Sequence, residues 1–232
     1  MKLKKNLSVI IPAYNEEATL EEVIKTVLQQ PMVAEVIVID DNSTDKTPEI
    51  ISSFGKQIRS TRNKTNKGKG YGVRKGISMA QSKYLLVQDA DLEYDPADYA
   101  KLMKAMLQNN PDLVNSVRDF SSQDVQLITR LGSRVIPDLV FLFFGKSIKD
   151  IVSCYKLMKT ETWKKLNLKS DRFELETEIM VKAIINDLDI QEVEISYKPR
   201  SKQEGKHIGV KDGLKVAWML LGYRLNKKKR KF

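Results

Sequence analysis

The sequence predicts an α/β fold in which helices flank a mostly parallel β-sheet. Short runs of β-branched and apolar residues alternate with stretches of helical period in the first half, which is the pattern of strands joined by crossover helices. The 232 residues are 41% apolar and 30% charged, a composition typical of a globular domain with a sizeable core. Acidic residues directly follow two predicted strands, at the edge where open α/β sheets bind ligands.

The first half predicts strands and helices in alternation. Each strand is a short β-rich run, and each helix has apolar residues three or four positions apart. The strands are predicted at residues 7–11, 35–39, 84–88 and 112–117. The helices are predicted at residues 16–29, 46–54 and 99–107, and a glycine-rich basic segment occupies residues 63–76.

The second half contains longer apolar stretches. A helical region at 126–144 is expected to break at Pro137, and strands are expected at 152–157 and 190–197. Further helices are predicted at 174–185 and 213–225, followed by the basic cluster 227–231. We therefore predict one α/β domain over residues 1–210 and, over 211–232, an amphipathic C-terminal helix with a basic tail.

The composition excludes several classes of protein. The longest unbroken apolar runs, 139–144 and 216–221, have six residues each, whereas a transmembrane helix needs about 20. The N-terminus shows no signal-peptide pattern, so we expect a cytoplasmic protein. One cysteine, Cys154, and one histidine, His207, exclude an internal disulfide and most histidine-based catalysis. Carboxylates must therefore carry any catalysis.

Two acidic clusters are the strongest local signals. Asp89 and Asp91 lie two apart at a strand end, so their carboxylates point to the same side and suit Mg²⁺ or Mn²⁺ with a diphosphate. Asp40 and Asp41 end another strand, where a carboxylate can accept N–H groups of a nucleobase. The alternatives are a polar turn for the first pair, and an Asx turn or a helix N-cap for the second.

The glycine-rich segment Lys67 to Gly72 suggests contact with a diphosphate. It matches neither the Walker pattern nor the dinucleotide-binding pattern, and by itself it is typical of a flexible basic loop. Next to two acidic clusters it becomes a candidate phosphate contact.

Together these segments resemble glycosyltransferase family 2, whose members have the GT-A fold. The matching residues of the first half are Val9 to Glu16, Val38 to Asp45, Asn66 to Gly72, Gln88 to Leu92, Asp95 and Pro96. The second half resembles the polyprenyl-phosphate sugar transferases related to dolichol-phosphate mannosyltransferase. Its matching residues are Arg118, Asp150, Ser153 to Lys156, Arg172, Phe173, Glu176, Glu178, Tyr197 to Arg200, Gly205 and Lys206.

The resemblance implies an inverting glycosyltransferase that uses a UDP- or GDP-linked sugar and a divalent cation, Mg²⁺ or Mn²⁺. It implies a nucleotide-sugar site formed by Pro12, Tyr14, Glu16, Ile39, Asp41, Gly70, Asp89, Ala90, Asp91, Arg118 and Lys206. It implies that the metal is held by Asp89 and Asp91, with Glu93 as a third ligand, and that catalysis depends on Asp91, Arg118, Asp150 and Arg200. The basic residues of this set would stabilise the charge of phosphate groups.

For the acceptor, the resemblance implies a polyprenyl or dolichyl phosphate, which is already anionic and needs no general base. The alternative is a hydroxyl acceptor in polysaccharide or glycolipid synthesis, which needs a carboxylate base. The candidate bases are Asp150, Glu176 and Glu178, and a structural role for Asp150 is equally open. Because Glu176 and Glu178 lie two apart on a predicted helix, at most one should face the site.

The charge pattern bears on partners. The apolar helix that ends near Leu225, followed by five basic residues, predicts peripheral contact with the cytoplasmic face of a membrane, and packing of this helix on the core is the alternative. The net charge of +10 also suggests a basic nucleic-acid-binding protein. That alternative leaves the paired acids unexplained, so no nucleic acid is expected as a partner. A nucleotidyltransferase is the enzymatic alternative.

Overall fold

The computed structural model describes residues 4–120, 127–199 and 210–225. Within these ranges seven strands form a single sheet. The strands are β1 (Leu7–Ala13), β2 (Val33–Asp40), β3 (Arg59–Arg62), β4 (Tyr84–Val87), β5 (Leu113–Arg118), β6 (Lys156–Lys159) and β7 (Ile190–Ile195). Their order is β3-β2-β1-β4-β6-β5-β7, and β6 alone runs antiparallel to its neighbours β4 and β5. The predicted mostly parallel α/β sheet is confirmed.

The helices of the described ranges cover the sheet. They are α1 (Leu20–Leu28), α2 (Thr47–Ser53), α3 (Lys69–Met79), α4 (Tyr99–Asn109), α5 (Leu127–Phe144), α6 (Thr160–Lys165), α7 (Leu175–Ile185) and α8 (Val210–Leu225). Helix α3 packs against β1 and β2, so the basic glycine-rich segment leads straight into a helix on the sheet. A Cβ on Gly76 would lie 2.6 Å from Cγ2 of Ile10, which shows how closely α3 crosses β1.

Two predictions about elements are wrong. The strand predicted at 152–157 begins and ends later, as β6 at Lys156–Lys159. The chain before it bends, and the amide of Val152 donates to Asp150 there. Helix α5 continues through Pro137 instead of breaking there. A proline removes one backbone donor, and the helix persists when its apolar face packs on the core, as fully buried Val140 does here.

The parallel strands bring the acidic clusters to one edge. In the register of the sheet, Ala13 pairs with Asp40, and Ile10 pairs with Val87. The residues that follow β1, β2 and β4 therefore lie side by side, as predicted for the carboxyl edge.

Helix α8 is half covered by protein. It contacts α5 and α7, and Val216, Leu220 and Tyr223 are buried in that contact. Trp218 and Leu225 lie on the opposite face and are 74% and 75% exposed. Among the described residues no helix is long and apolar enough to span a membrane. The division of the chain at residue 210 stays a prediction.

Candidate functional site

The carboxylates after β4 lie at the edge of the sheet, where they were predicted, and Asp89 is held by a lysine. Asp89 and Asp91 are 9% and 5% exposed. The Nζ of Lys69, in the first turn of α3, lies 2.7 Å from Oδ1 of Asp89 and 2.5 Å from Oε1 of Glu176. Burial by itself would lower the pKa of Lys69, but the charges around it, Asp89 first and Glu176 among the others, together outweigh burial and raise that pKa well above its ordinary value. Lys69 is therefore a permanent cation between two acids.

A buried hydrogen-bond network fixes the backbone in front of Asp89. Gln88 donates from Nε2 to the carbonyl of Asp89 at 2.9 Å, and its Oε1 accepts from the hydroxyls of Tyr99 and Tyr155 at 2.6 and 2.5 Å. Burial raises the pKa of both tyrosines, so both remain protonated donors over the working pH range. Gln88 and the two tyrosines thus position the end of β4.

Asp41 is bound by the glycine-rich loop. Its carboxylate accepts from the backbone amides of Lys67 and Gly68, at 3.0 and 2.6 Å, and from Nδ2 of Asn63 at 2.8 Å. Asp41 is 4% exposed, so these three donors surround most of the carboxylate. Both oxygens of the Asp41 carboxylate already accept hydrogen bonds within the protein, so little of the carboxylate is left to bind a nucleobase as predicted. The visible role of Asp41 is to hold the loop before α3.

Asp40 makes the turn that the alternative interpretation predicted. Its Oδ1 accepts from the amide of Ser43 at 2.8 Å, an Asx-type contact, and its Oδ2 lies 3.1 Å from Nε of Arg62. Ser43 does not cap helix α2, because its hydroxyl accepts from the amide of Asn15 at 3.0 Å. Asp40 and Ser43 therefore tie the ends of β1 and β2 together.

The other residues predicted to hold a nucleoside lie along this edge but differ in exposure. Tyr14 is 45% exposed, whereas Ile39 and Ala90 are buried. A Cβ on Gly72 would lie 3.5 Å from Ile39 and 3.6 Å from Pro12, so these two side chains pack under α3. Glu16 accepts from the hydroxyl of Thr19 at 3.1 Å. Tyr14 is thus the member of this group with the most open surface.

A second loop packs against the glycine-rich segment. A Cβ on Gly70 would collide with the carbonyl oxygen of Ser170, so only glycine fits there. The amide of Tyr71 donates to the carbonyl of Asp171 at 3.2 Å. The loop at 168–171 is held in turn by Glu178, which accepts from the amides of Lys169 and Ser170 at 2.9 and 2.7 Å. We call residues 168–171 the support loop.

Arg118 and Asp150 form a buried pair beside this edge. Arg118 donates from Nε and Nη2 to the two carboxylate oxygens of Asp150 at 2.7 and 3.0 Å, and the amide of Val152 donates to Asp150 at 3.2 Å. The guanidinium carbon lies 5.0 Å from the ring centre of Phe120 and 5.1 Å from that of Tyr197. Asp150 is 2% exposed and fully engaged, so this geometry favours its structural alternative over the role of a base.

The carboxylate of Glu93 is bound to Tyr197 and does not form a metal-binding group with Asp89 and Asp91. Its Oε2 accepts from the hydroxyl of Tyr197 at 3.2 Å, and its carbonyl accepts from the amide of Lys198 at 2.9 Å. In the described ranges no group of three or more His, Cys, Asp or Glu is arranged to hold a metal ion, so the predicted three-carboxylate set is not assembled. The hard oxygen donors of Asp89 and Asp91 still fit Mg²⁺ or Mn²⁺ if a diphosphate completes the coordination.

Part of the predicted site cannot be placed, because it falls on residues outside the described ranges. Arg200, Lys206 and His207 fall outside the described residues. Cys154 is buried, and burial raises the pKa of its thiol well above the ordinary value. Sequence reasoning missed the roles of Lys69, Gln88 and Glu178. All three lie in motifs or candidate sets drawn from the sequence, but the partners that define their roles are distant in the chain, so no local signal showed those roles.

A family comparison covers most of the chain. The model of the family described as "Glycosyl transferase family 2" matches residues 8–166, a segment that begins in β1 and ends after α6. It includes both acidic clusters, the glycine-rich segment, Arg118 and Asp150.

Several curated relatives carry glycosyltransferase names. The chain is 31% identical to the dolichyl-phosphate β-glucosyltransferase of Drosophila melanogaster over 82% of this chain and 66% of that protein. It is 25% identical to the UDP-N-acetylglucosamine dolichyl-phosphate N-acetylglucosaminyltransferase of Methanococcus voltae, over 96% of this chain and 98% of that protein. The chain spans only 48% of a low-salt glycan biosynthesis hexosyltransferase of Haloferax volcanii, with 26% identity.

A solved structure has the same fold. Glucosyl-3-phosphoglycerate synthase of Mycobacterium tuberculosis, crystallised with Mn²⁺, UDP-glucose and phosphoglyceric acid, superposes with a TM-score of 0.74 at 19% identity. The match covers 96% of this chain and 79% of that one. It confirms the predicted GT-A architecture.

Proposed function

The chain belongs to glycosyl transferase family 2 and is a glycosyltransferase, and from this we propose that it transfers a sugar, with inversion, from a nucleoside diphosphate sugar to a polyprenyl phosphate. The donor occupies the edge lined by Tyr14, Asp89, Asp91 and the start of α3.

One observation carries the choice of acceptor. Each of the three candidate bases is already bound to a cation: Asp150 to Arg118, Glu176 to Lys69, and Glu178 to Lys182, at 2.7, 2.5 and 2.8 Å. A carboxylate in such a pair is a poor proton acceptor, because protonation would break the ion pair and lose its charge attraction in a mostly buried site. A hydroxyl acceptor requires such a base. An acceptor phosphate is anionic beforehand and attacks the anomeric carbon without one.

The basic groups supply the complementary charge. The Arg118 guanidinium is fixed by Asp150 and by two aromatic rings, so its orientation is set before a phosphate arrives. Lys69 lies beside Asp89 and adds a second fixed cation at the same edge. Asp89 and Asp91 would hold the Mg²⁺ or Mn²⁺ ion, which when bound neutralises the leaving diphosphate.

The apolar helices support contact with a membrane, where a polyprenyl phosphate resides. On α8 the exposed Trp218 and Leu225 lie on one face, and on α5 Phe141 and Leu142 are 57% and 72% exposed. Helices α5 and α8 pack together, so the two sets of exposed apolar side chains lie on contacting helices. We propose that this surface rests on the cytoplasmic face of a membrane, as an interfacial helix does.

Ligand stabilisation tests the donor site. Thermal unfolding is measured with UDP, GDP, CDP and TDP, each with Mn²⁺ or with EDTA, because a ligand that binds only the native state raises the melting temperature. We expect one diphosphate to raise it in the presence of Mn²⁺ and less so with EDTA. Absence of any shift would overturn the donor assignment.

Transfer assays then test the acceptor. Once the donor base is known, its sugar nucleotides are incubated with a polyprenyl phosphate and, separately, with the matching polyprenol. We expect product only with the phosphate. Transfer to the polyprenol at a comparable rate would favour the hydroxyl alternative.

Flotation with vesicles tests the membrane surface. We expect the chain to float with vesicles containing anionic lipid, and the double variant Trp218→Ser with Leu225→Ser to float less. The control is Leu107→Ser, which alters an exposed apolar side chain of α4. Equal flotation of all three proteins would contradict the proposed surface.

A further inference from the structure

Lys69 forms ion pairs with two carboxylates, and only one of them is a proposed metal ligand. Its Nζ lies 2.7 Å from Asp89, a proposed metal ligand, and 2.5 Å from Glu176, in the first turn of helix α7. The three side chains are 16%, 12% and 10% exposed, so solvent screens the two ion pairs only weakly.

The backbone of Lys69 is fixed while its ammonium group has two partners. The close packing of Gly70 on Ser170 and the bond from Tyr71 to Asp171 hold the first turn of α3 against the support loop. The ammonium group stands at the end of a flexible four-carbon stem. A small side-chain movement toward Glu176 can release Asp89 without moving the helix.

We propose that Lys69 is the resident counter-ion of Asp89, that a divalent cation displaces it, and that Glu176 retains the lysine after displacement. The inference rests on the proposed metal-dependent donor site. A divalent cation on Asp89 repels the neighbouring ammonium group. Because Lys69 keeps its ion pair with Glu176, its displacement from Asp89 costs little free energy. Glu176 is then a positioning residue, and the balance between the two pairs sets the affinity for the metal.

The proposal predicts opposite effects of two substitutions. In Lys69→Met the competitor is gone, so Mn²⁺ should bind more tightly. In Glu176→Gln the lysine loses its second carboxylate and pairs with Asp89 alone, so Mn²⁺ should bind more weakly. We expect about a tenfold change in each direction, the scale of one opposite charge at close range.

The experiment measures binding of Mn²⁺ to the full chain in the presence of the diphosphate that stabilises it, by electron paramagnetic resonance, which counts the free ion, and a protein-free titration of the same diphosphate is subtracted. The control is Lys25→Met, which removes a lysine from an exposed pair with Glu21 at 2.6 Å and should leave the affinity unchanged. Circular dichroism confirms folding. If Lys69→Met does not fold, Glu176→Gln and the double variant Lys69→Met with Glu176→Gln carry the test, and the double variant should bind Mn²⁺ more tightly than the wild type.

Salt distinguishes direct competition from a general change of charge. The ratios of variant to wild-type affinity are compared at low and high KCl, because long-range effects are screened and a contact pair is not. Opposite shifts that persist at high salt support the proposal. Shifts in one direction, or shifts that vanish with salt, would overturn it while the donor site stands. A wild type that binds no Mn²⁺ and responds to no diphosphate would overturn both.

Discussion

The two acidic clusters at the edge of the sheet are alike in sequence and different in what holds them. Asp41, after β2, accepts from two backbone amides and the amide side chain of Asn63. Asp89, after β4, pairs with the side-chain ammonium of Lys69. Backbone donors cannot withdraw, whereas an ammonium on a flexible stem can. Asp41 is therefore suited to hold a loop, and Asp89 is suited to exchange its partner for a ligand.

Glu178 extends this comparison to a third buried carboxylate. Like Asp41, it accepts from two backbone amides, those of Lys169 and Ser170. It also accepts from the hydroxyl of Tyr223 in α8 at 3.0 Å. The support loop beneath the glycine-rich segment is thereby linked to the C-terminal helix.

The largest effect is expected from Asp91→Asn. If Asp91 holds the metal, the variant loses several kcal/mol of transition-state stabilisation, so kcat/KM should fall by about 10³-fold or more. The fold should persist, because the new amide oxygen can still accept from the Glu93 amide, now at 3.3 Å. Steady-state kinetics and circular dichroism check this, with Asp112→Asn, outside the site, as the control. Wild-type activity in Asp91→Asn would show that the cluster after β4 does not bind a catalytic ligand, so that it would no longer differ in role from the cluster after β2.

Asp41→Asn should act through stability and donor affinity together. The side-chain NH₂ group would face the Lys67 or Gly68 amide, and losing a hydrogen bond to a charged acceptor costs about 1.5–3 kcal/mol. Urea unfolding and diphosphate binding should both weaken. Asp40→Asn is the matched control with a smaller expected loss, since Asp40 holds one backbone amide and the half-exposed Arg62. A larger loss in Asp40→Asn would reverse our ranking of the two acids.

Gly70→Ala tests whether the loop held by Asp41 is packed tightly. The added methyl group would meet the carbonyl of Ser170, and such overpacking costs about 1–3 kcal/mol in the free energy of unfolding. The control is Gly213→Ala, where a Cβ meets nothing within 4 Å and where helix propensity should add up to about 1 kcal/mol. Thermal melts of both variants measure the difference, and equal stability would show that the support loop yields.

Glu178→Gln gives the smallest effect and one that depends on pH. Burial raises the pKa of Glu178, but the bonds from Lys182 and Ser170 outweigh burial and lower it below the ordinary 4.5. The ionised group therefore stabilises the fold fully above pH 4.5, and this contribution is lost as the pH falls through the lowered folded-state pKa. We expect Glu178→Gln to lose about 1.5 kcal/mol at neutral pH, the lower end for a hydrogen bond to a charged acceptor, because Lys182 keeps the carbonyls of Leu166 and Asn167. The gap to the wild type should narrow in acid.

A surface pair of the same spacing is the control for that titration. Glu21 and Lys25 are also four residues apart and lie 2.6 Å apart, but both are exposed. Glu21→Gln should change the free energy of unfolding little at any pH. If the two variants showed the same pH dependence, Glu178 would not be distinguished by its backbone donors.

Prediction from sequence succeeded where the pattern is local. The buried strands β1, β2 and β4 and helices such as α1 and α4 follow from apolar periodicity. Strand β3 was missed because its residues, Arg59 to Arg62, are polar and pair only at the edge of the sheet. The Asp89–Asp91 and Asp40–Asp41 pairs were located because acids at the ends of parallel strands share one edge.

The sequence by itself determined the α/β class, the family motifs and the edge at which the acids meet, since these depend on neighbours in the chain. Only the tertiary structure decided which cation each acid receives. Lys69 and Glu176 are 107 residues apart, and Arg118 and Asp150 are 32 apart. No local pattern encodes such pairs, because a buried charge is matched by whichever partner the packed sheet and helices bring within hydrogen-bond distance.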